Sequence, residues 1–519
     1  MNSKSHEPIL RKLAVLLLAV AVPVLVWSQK KTESKPSAPA KPAAQSHTST
    51  PAAHSNPNSP GHGNTTQRPG TPAGTSHTGT PANSRTGNTA MGSRPGTGTT
   101  TGHPGTMNAG TGTHALPGRQ VSLRGGGTAN VRPNGSIRSV NRNGMQINRG
   151  MHGGRTVVST HNGARVVSTG RGGYVQRAYF ARGGRTYVSR TYVVNNVTYT
   201  SVYRSYGYGG YCCYYGYAPA YYWHPAYYGW AYNPWPAPVY YGWGWNAEPW
   251  YGYYGPYYAP YPVYPSAYFW VTDWMIAASL RAAYLASVQA NLELSPLAPD
   301  PEFVASLGAF PVPDDAKVTL TKEVKDQLAE EVKTQLGADQ AEAGKSGNAS
   351  AGSSGGGGTA GNAPPPALDP KWKTFVVNDE VSTDVDGQEC SLTTGDVISR
   401  ASDTPDADRN VDVKVLASKK GDCAVGAKVS VSLDDLQEMH NHFREQISGG
   451  MEELSKKQGS GGLPKAPDTG KQDGEVPAPP ADTTAAKTLK DQQAAADQAE
   501  TEVKQEAGNS GSGTGGGQQ

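Results

Sequence analysis

The sequence predicts a mostly β protein with extensive disorder, built from an arginine-rich array of β-hairpins, a tyrosine- and tryptophan-rich tract, short helices and a small separate β-rich module. Turn-forming residues recur about every ten residues between residues 119 and 202, which is typical of consecutive hairpins. Short alternating apolar runs return after residue 370 and end in one amphipathic stretch. Elsewhere, many of the 64 glycines and 40 prolines lie in blocks too poor in large apolar side chains to form a core.

The N-terminus has the order of a secretory signal. An apolar run from Leu13 to Trp27 follows three basic residues, and Ser28 offers a small residue before a cleavage site. Residues 1–28 are therefore predicted to be a signal peptide that exports the chain to the periplasm, the extracellular space or the cell surface. An uncleaved membrane anchor is the alternative, although the run has about 15 residues where a span needs about 20.

Residues 29–118 form a spacer rich in threonine, serine, glycine and proline, for which we expect no fixed structure. The predicted hairpin array occupies residues 119–202. Asn-Gly pairs, the strongest short signal for a tight hairpin turn, end at Gly135, Gly144 and Gly163. We expect strands of about five or six residues, arranged as a meander or β-roll that must stack on itself or be covered by another element.

The array is rich in arginine and contains no lysine or acidic residue. Fourteen arginines lie between Arg119 and Arg204. Because guanidinium groups bind carboxylates and phosphates in a forked geometry, we predict a surface for an anionic envelope polymer or polysaccharide. Charge that only protects strand edges is the alternative explanation, and nucleic acid is disfavoured because an exported protein seldom meets it. The predicted polyanion-binding residues are Arg155, Arg165, Arg171, Arg177, Arg182, Arg185 and Arg190.

The net charge of +4 conceals a strong asymmetry between the two halves of the chain. Residues 1–299 contain 25 Lys and Arg against five Asp and Glu, a balance of +20. The remaining residues contain 21 against 37, a balance of −16. The asymmetry indicates a basic half for anionic partners and an acidic, solubilising half, and the two halves can attract one another.

Residues 203–270 hold 22 of the 28 tyrosines and seven of the ten tryptophans. Proline recurs from Pro219 to Pro265 and no apolar period persists, so we expect turns and polyproline-like segments without a long helix or a central strand. The rings can stack on sugars, lie at a membrane interface, or cover the hairpin array. The predicted aromatic contact residues are Tyr228, Trp230, Trp235, Trp243, Trp245 and Trp250.

Residues 271–343 are predicted to be helical. Thr272 can cap a helix that runs to about Gln289, and an apolar stripe of four-residue spacing predicts a second helix from Thr321 to Leu336. Glycine, serine and proline then predict a linker over residues 344–370. Residues 456–519, which are poor in large apolar side chains, are predicted to be a disordered tail.

Residues 371–455 are predicted to fold independently. Five short apolar runs predict strands, and Ser432 with Asp435 predicts a capped helix that Gly449 and Gly450 should end. The run Cys390-Ser-Leu-Thr-Thr-Gly-Asp-Val-Ile-Ser-Arg resembles the strand and turn that precede the central sheet of SH3-like barrels. The run Gly426-Ala-Lys-Val-Ser-Val resembles their last strand. The resemblance implies a small SH3-like β-barrel with a C-terminal helix.

The four cysteines divide into two pairs. Cys390 and Cys423 lie in two predicted strand regions of a small exported module, and we predict a disulfide between them. Cys212 and Cys213 are adjacent and are not expected to bond to each other, so they should pair between chains or stay free.

The sequence contains none of the common catalytic or cofactor-binding motifs. There is no His-Glu-x-x-His, no P-loop, no Cys-x-x-Cys and no Gly-x-Ser-x-Gly nucleophile elbow between a predicted strand and a helix. We therefore predict a non-enzymatic exported cell-envelope protein without cofactor or metal, which binds anionic polymer or glycan through its arginine- and aromatic-rich surface. The alternative is a structural protein that self-associates into a surface layer or matrix.

Overall fold

The computed structural model describes residues 118–170, 172–182, 184–194, 197–294, 319–346 and 363–509, without the side chains of 289–294, 346 and 507–509. The predicted signal peptide, nearly all of the 29–118 spacer, Arg171, most of the predicted linker and residues 510–519 lie outside this description. All described residues belong to one compact unit.

The centre of this unit is an antiparallel sheet of ten strands whose spatial order follows the chain order from β1 to β10. The predicted hairpin array is thus confirmed as a meander. Asn143-Gly144 and Asn162-Gly163 have positive φ at both positions, the geometry of the two-residue turns that match strand twist. The strands are β1 (Arg119–Ser122), β2 (Thr128–Val131), β3 (Ile137–Arg142), β4 (Met145–Arg149), β5 (Arg155–His161), β6 (Ala164–Thr169), β7 (Gly172–Arg182), β8 (Arg185–Val194), β9 (Val197–Tyr208) and β10 (Tyr211–Ala218).

The sheet does not stop at residue 202, and the expectation that the tyrosine-rich tract contains no central strand is wrong. Strand β9 runs through Tyr208 between β8 and β10. The first proline of the tract is Pro219, so within the tract no proline removes a ladder hydrogen bond before that residue. Cys212 and Cys213 lie in β10 and are bonded to each other across a cis peptide bond, contrary to expectation.

After Pro219 the tract becomes irregular and surrounds two longer helices. It forms β11 (Tyr221–Trp223) and the short helices α1 (Pro225–Tyr232) and α2 (Pro249–Tyr254). The helices that follow are α3 (Ala267–Leu294) and α4 (Lys322–Ser346), both longer than predicted. None of the described helices is long and apolar enough to cross a membrane.

The C-terminal module contains a four-stranded sheet in the order β12-β15-β16-β17 and the hairpin β13-β14. Cys390 and Cys423 form the predicted disulfide, with Cα atoms 5.1 Å apart. The resemblance to SH3-like barrels stays a prediction. The strands are β12 (Thr374–Val376), β13 (Val381–Val385), β14 (Gln388–Leu392), β15 (Val397–Arg400), β16 (Asn410–Ala417) and β17 (Lys428–Ser432).

Helix α5 (Leu433–Lys457) begins as predicted, with the Asp435 amide donating to Ser432 Oγ at 3.1 Å. It does not end at Gly449-Gly450, and that prediction is wrong. A Cβ on Gly449 would lie 3.0 Å from the Trp274 ring, and one on Gly450 would lie 3.0 Å from Val271 Cγ1. The two glycines are therefore contact points for α3 rather than helix terminators.

The expectation of a tail without structure is also wrong over residues 456–509. The chain there forms β18 (Lys471–Asp473), which pairs with β11, and helix α6 (Ala485–Asn509). Helix α6 packs one stripe of residues on one face of the large sheet. The stripe includes Leu489, Ala496 and Val503, and most of its residues are small. Composition predicts disorder here because few of these side chains are large, but the sheet supplies the missing apolar surface.

The module does not stand apart from the hairpins, so the prediction of separate domains is wrong. Helix α5 covers the opposite face of the sheet from α6, where Tyr174 and Tyr192 lie. Its other side contributes Phe443 and Ile447 to the largest core, which also contains aromatic residues of the tract and apolar residues of α3 and α4. The basic half and the acidic half of the chain thus pack together within one folded unit.

A candidate ligand-binding cleft

Most of the predicted polyanion-binding arginines that the structure describes lie beside carboxylates of the chain's own acidic half. Arg190 on β8 is completely buried and donates to Glu438 of α5 at 2.6 and 2.7 Å and to Gln176 at 2.8 Å. Its guanidinium carbon lies 4.4 Å from the Tyr174 ring centre and 4.0 Å from that of Tyr203. Burial alone would raise the pKa of Glu438, but Arg190 and its hydrogen bonds hold it below the ordinary value.

The other predicted arginines divide into paired and exposed residues. Arg155, Arg177 and Arg185 form ion pairs with Asp497, Asp482 and Glu475 at 2.5, 2.7 and 2.7 Å. Arg165 is largely buried on the α5 side of the sheet, near Glu438 and Asp434, whose charges raise its pKa against the effect of burial. Arg182 is exposed, and Arg171 lies outside the described residues. Four of the seven predicted residues therefore already contact carboxylates.

The predicted aromatic contact residues do not form an exposed face. Tyr228, Trp235, Trp245 and Trp250 are between 2 % and 7 % exposed, and Trp230 and Trp243 pack against the same core. Trp243 stacks on Trp245 and Trp270 with ring centres 4.2 and 4.7 Å apart. These rings cover the helices rather than the hairpin array.

A buried carboxylate fixes the tract to the helices. Asp273 of α3 accepts hydrogen bonds from the Tyr261 amide at 2.6 Å and the Tyr264 hydroxyl at 2.7 Å. Lys325 of α4 lies 3.7 Å away and also contacts the Tyr261 ring at 3.9 Å. Burial raises the pKa of Asp273, and Lys325 opposes the rise. The sequence feature that could have indicated this buried site is Asp273 itself, an aspartate within an apolar stretch.

A cleft of about 860 Å³ opens where the sheet, the aromatic tract, the C-terminal module and α6 meet. The turn between β4 and β5 and the start of the turn after β6 contribute from the sheet. Tyr253, Tyr254 and Tyr257 contribute from the tract, and Asp497 lies on α6. The volume lies in the range of small-ligand sites, which often form at such junctions.

The lining of the cleft is mixed in charge and rich in hydroxyl groups. Basic side chains come from both halves of the protein, with Arg149 and Arg155 on the sheet and Lys419 and Lys420 in the module. The acidic residues are Asp379, Glu380, Asp422 and Asp497. Seven hydroxyl groups add hydrogen-bonding capacity, from Thr156, Ser168, Thr169, Ser287, Thr319, Thr393 and Thr394.

The turn between β4 and β5 is tied to the module at the cleft. Glu380 accepts from the backbone amides of His152 and Gly154 at 2.9 and 2.8 Å. A side chain on Gly150 or Gly154 would collide with Glu380, so this approach requires glycine at both positions. His152 Nε2 lies 3.1 Å from Asp422 Oδ1, and the His152 side chain is 43 % exposed.

Asp422 is held from several directions. It precedes the disulfide-bonded Cys423, accepts from the Thr393 hydroxyl at 2.6 Å, and lies 3.4 Å from Lys419 Nζ. Lys419 also contacts Asp396, whose pKa is raised by burial while Lys419 opposes the rise. Thr393, Lys419 and Asp422 of the cleft lining thus belong to one network of hydrogen bonds and ion pairs.

No known protein family, curated protein or solved structure matches the chain. Within the described residues, no group of three or more histidine, cysteine, aspartate or glutamate side chains is placed to hold a metal ion. Among the predicted site residues that the structure describes, only Arg155 lines the cleft. Sequence reasoning missed Tyr253, His152, Glu380 and Lys420 because they come from distant parts of the chain and form no local motif.

Proposed function

We propose that this is an exported, non-enzymatic protein of the cell envelope that binds a segment of acidic polysaccharide in the cleft. The observation that carries the proposal is the composition of that one cleft, which brings tyrosine rings, basic side chains and many hydroxyl groups together. A sugar chain presents apolar ring faces, hydroxyl groups and, when acidic, carboxylates, and each of these has a counterpart in the lining.

Tyr253 is the best platform for a sugar ring. It is 43 % exposed, so its ring is open to a ligand. Its ring centre lies 4.8 Å from that of Tyr254 and 5.7 Å from that of Tyr284, and these contacts hold its orientation. A ring that is already fixed loses little conformational freedom when it binds.

Lys420 provides the most accessible positive charge. It is exposed, whereas Lys419 is engaged with Asp396 and Asp422 and Arg155 with Asp497. Because Lys420 lies in the same cleft as Tyr253, an acidic sugar can contact a ring and a cation together. This pairing favours an acidic over a neutral polysaccharide.

The cysteines support an exported location. Both pairs are bonded in the structure, and disulfides persist mainly in oxidising compartments such as the periplasm or the extracellular space. The alternative proposal, self-association through the tyrosine-rich tract, has less support because most of the tract's large rings are occupied within the core.

The test is calorimetric titration of the folded protein with polygalacturonate and with dextran, an acidic and a neutral polysaccharide. We expect binding to polygalacturonate, and Tyr253→Ala and Lys420→Gln should each weaken it by about tenfold. Tyr240→Ala is the matched control, because Tyr240 is 74 % exposed, belongs to the same tract and lies outside the cleft. Equal losses in Tyr253→Ala and Tyr240→Ala, or no binding by the unmodified protein, would contradict the proposal.

A further inference from the structure

One face of the ten-stranded sheet carries a row of arginines. Side chains two residues apart on a strand point to the same face, and these arginines share the face of Val157 and Val175, which α6 covers. Arg149 on β4 and Arg155 on β5 lie directly opposite each other at the strand spacing of roughly 5 Å, whereas Arg142 on β3 lies opposite Met145, at the other end of β4 from Arg149. The row consists of Arg142, Arg149, Arg155, Arg177 and Arg185.

Each arginine of the row is paired with a carboxylate from one continuous segment, residues 475–502. Arg142 contacts Glu502 at 2.5 Å, and Arg149 donates to both oxygens of Glu500 at 2.9 and 2.6 Å. Arg155 pairs with Asp497, Arg177 with Asp482, and Arg185 with Glu475. The segment therefore lies on the sheet as a linear polycarboxylate would.

The apolar contacts of α6 with the sheet are modest. Among its buried apolar residues only Leu489 and Val503 are large, and the others are alanines; its buried polar residues are Gln492 and Glu500. Small side chains bury little apolar area, so ion pairs contribute a large share of the attachment. Several of these pairs are partly exposed, with Asp497 65 % and Glu475 47 % accessible, and salt or a competing polyanion can therefore weaken them.

We infer that this arginine face is a second binding surface, for a linear acidic polysaccharide, and that α6 occupies it as an internal competitor. The ligand class follows from the partners present, because all five are carboxylates and the guanidinium fork matches that group. The inference goes beyond the proposed function of the cleft. Arg142, Arg177 and Arg185 lie outside the cleft lining, so the two surfaces can be tested separately.

The first experiment uses the unmodified full chain. Hydrogen–deuterium exchange is followed over residues 485–509 at about 50 mM salt, with polygalacturonate, with a DNA oligonucleotide of equal charge, and with dextran. We expect polygalacturonate to increase exchange in α6 and to protect β3 and β7, and dextran to do neither. An equal effect of DNA would overturn the ligand class, and unchanged exchange with polygalacturonate would overturn the inference.

The second experiment weakens the competitor. The double variant Asp482→Asn with Glu502→Gln should bind polygalacturonate about fivefold more tightly than the unmodified protein, because two partners of the row are neutralised. The matched control is Glu330→Gln with Glu342→Gln, which makes the same change in net charge at two exposed pairs of α4. An equal gain in the control would show a general charge effect and would overturn the inference.

The third experiment removes the proposed surface. Arg142→Gln with Arg177→Gln, added to the double variant, should abolish the gain in affinity, while circular dichroism checks that the variant remains folded. Tyr253→Ala, added instead, should leave the gain intact, because Tyr253 belongs to the cleft alone. If Tyr253→Ala removes the gain and the arginine variants do not, the second surface does not exist.

Discussion

The guanidinium of Arg190 and the carboxylate of Glu438 form two hydrogen bonds of 2.6 and 2.7 Å across the interface between the sheet and α5. The Arg190 side chain is fully buried, so it has no access to water that could replace the carboxylate. The pair links a residue of the basic half to one of the acidic half and anchors the module to the sheet.

Loss of the Glu438 charge should destabilise the protein strongly. Glu438→Gln leaves a buried, uncompensated guanidinium, and removing one partner of such a pair lowers the free energy of unfolding by about 3 kcal/mol or more. Urea denaturation measures the change. Glu330→Gln is the control, because its pair with Lys333 is exposed and should contribute less than about 1 kcal/mol. Similar losses in both variants would contradict this role for Arg190.

Stability should fall as the pH rises from about 4.5 to about 7. Burial raises the pKa of Glu445, beside Tyr203, to about 7. Between the unfolded and the folded pKa, the folded protein holds a proton that the unfolded chain has released, so a rise in pH favours unfolding. The side chain in Glu445→Gln cannot ionise. Over this pH range the variant should therefore lose less free energy of unfolding than the unmodified protein, by on the order of 2 kcal/mol.

The comparison is made by urea denaturation at several pH values. Asp434 and Asp435, with pKa values raised by burial to about 6 and about 7, remain in both proteins, so only the difference between the two profiles reports on Glu445. Parallel profiles would show that folding does not shift the pKa of Glu445 and would contradict the prediction.

Removing the Cys390–Cys423 disulfide should lower the free energy of unfolding by about 3 to 4 kcal/mol. The bond closes a loop across a sequence separation of 33 residues and restricts the unfolded chain accordingly. The measurement compares a variant with both cysteines changed to serine with the oxidised protein. The same change at Cys212 and Cys213 is the control, since adjacent residues enclose no loop and this entropic effect should be far smaller.

Gly450→Ala should destabilise the protein although alanine is the better helix former. The added methyl group would lie 3.0 Å from Val271 Cγ1 and 3.2 Å from the Trp274 ring, and such overpacking costs about 1 to 3 kcal/mol. Gly337→Ala on α4 meets nothing within 4 Å and should stabilise by up to about 1 kcal/mol. Thermal unfolding of both variants measures these opposite effects, and a stabilised Gly450→Ala would contradict the tight α3–α5 contact.

The parts of the fold that depend on local chemistry could be predicted from the sequence. Asn-Gly pairs determine their own turns, so the hairpin array was recognisable, and Ser432 with Asp435 marked the start of α5. Gly449 and Gly450 were misinterpreted because their role depends on Trp274, which lies far away in the chain.

The arrangement of charges was predictable only in outline. The asymmetry between the halves indicated that they can attract, but no local pattern reveals that Glu438 meets Arg190 or that residues 475–502 follow the row of arginines. The cleft was not predictable for the same reason, since Tyr253, Lys420 and Arg155 come together only through long-range packing.

The order of the strands has a consequence for how the molecule is made. Strands β1 to β10 follow one another along the chain, whereas the helices that cover both faces of their sheet begin only at Leu433 and Ala485. During synthesis, the hairpins therefore leave the ribosome long before the residues that neutralise and cover them. In a nascent or truncated chain, the strongly cationic hairpin segment lacks the helices that cover its apolar side chains, which favours aggregation and capture by cellular polyanions.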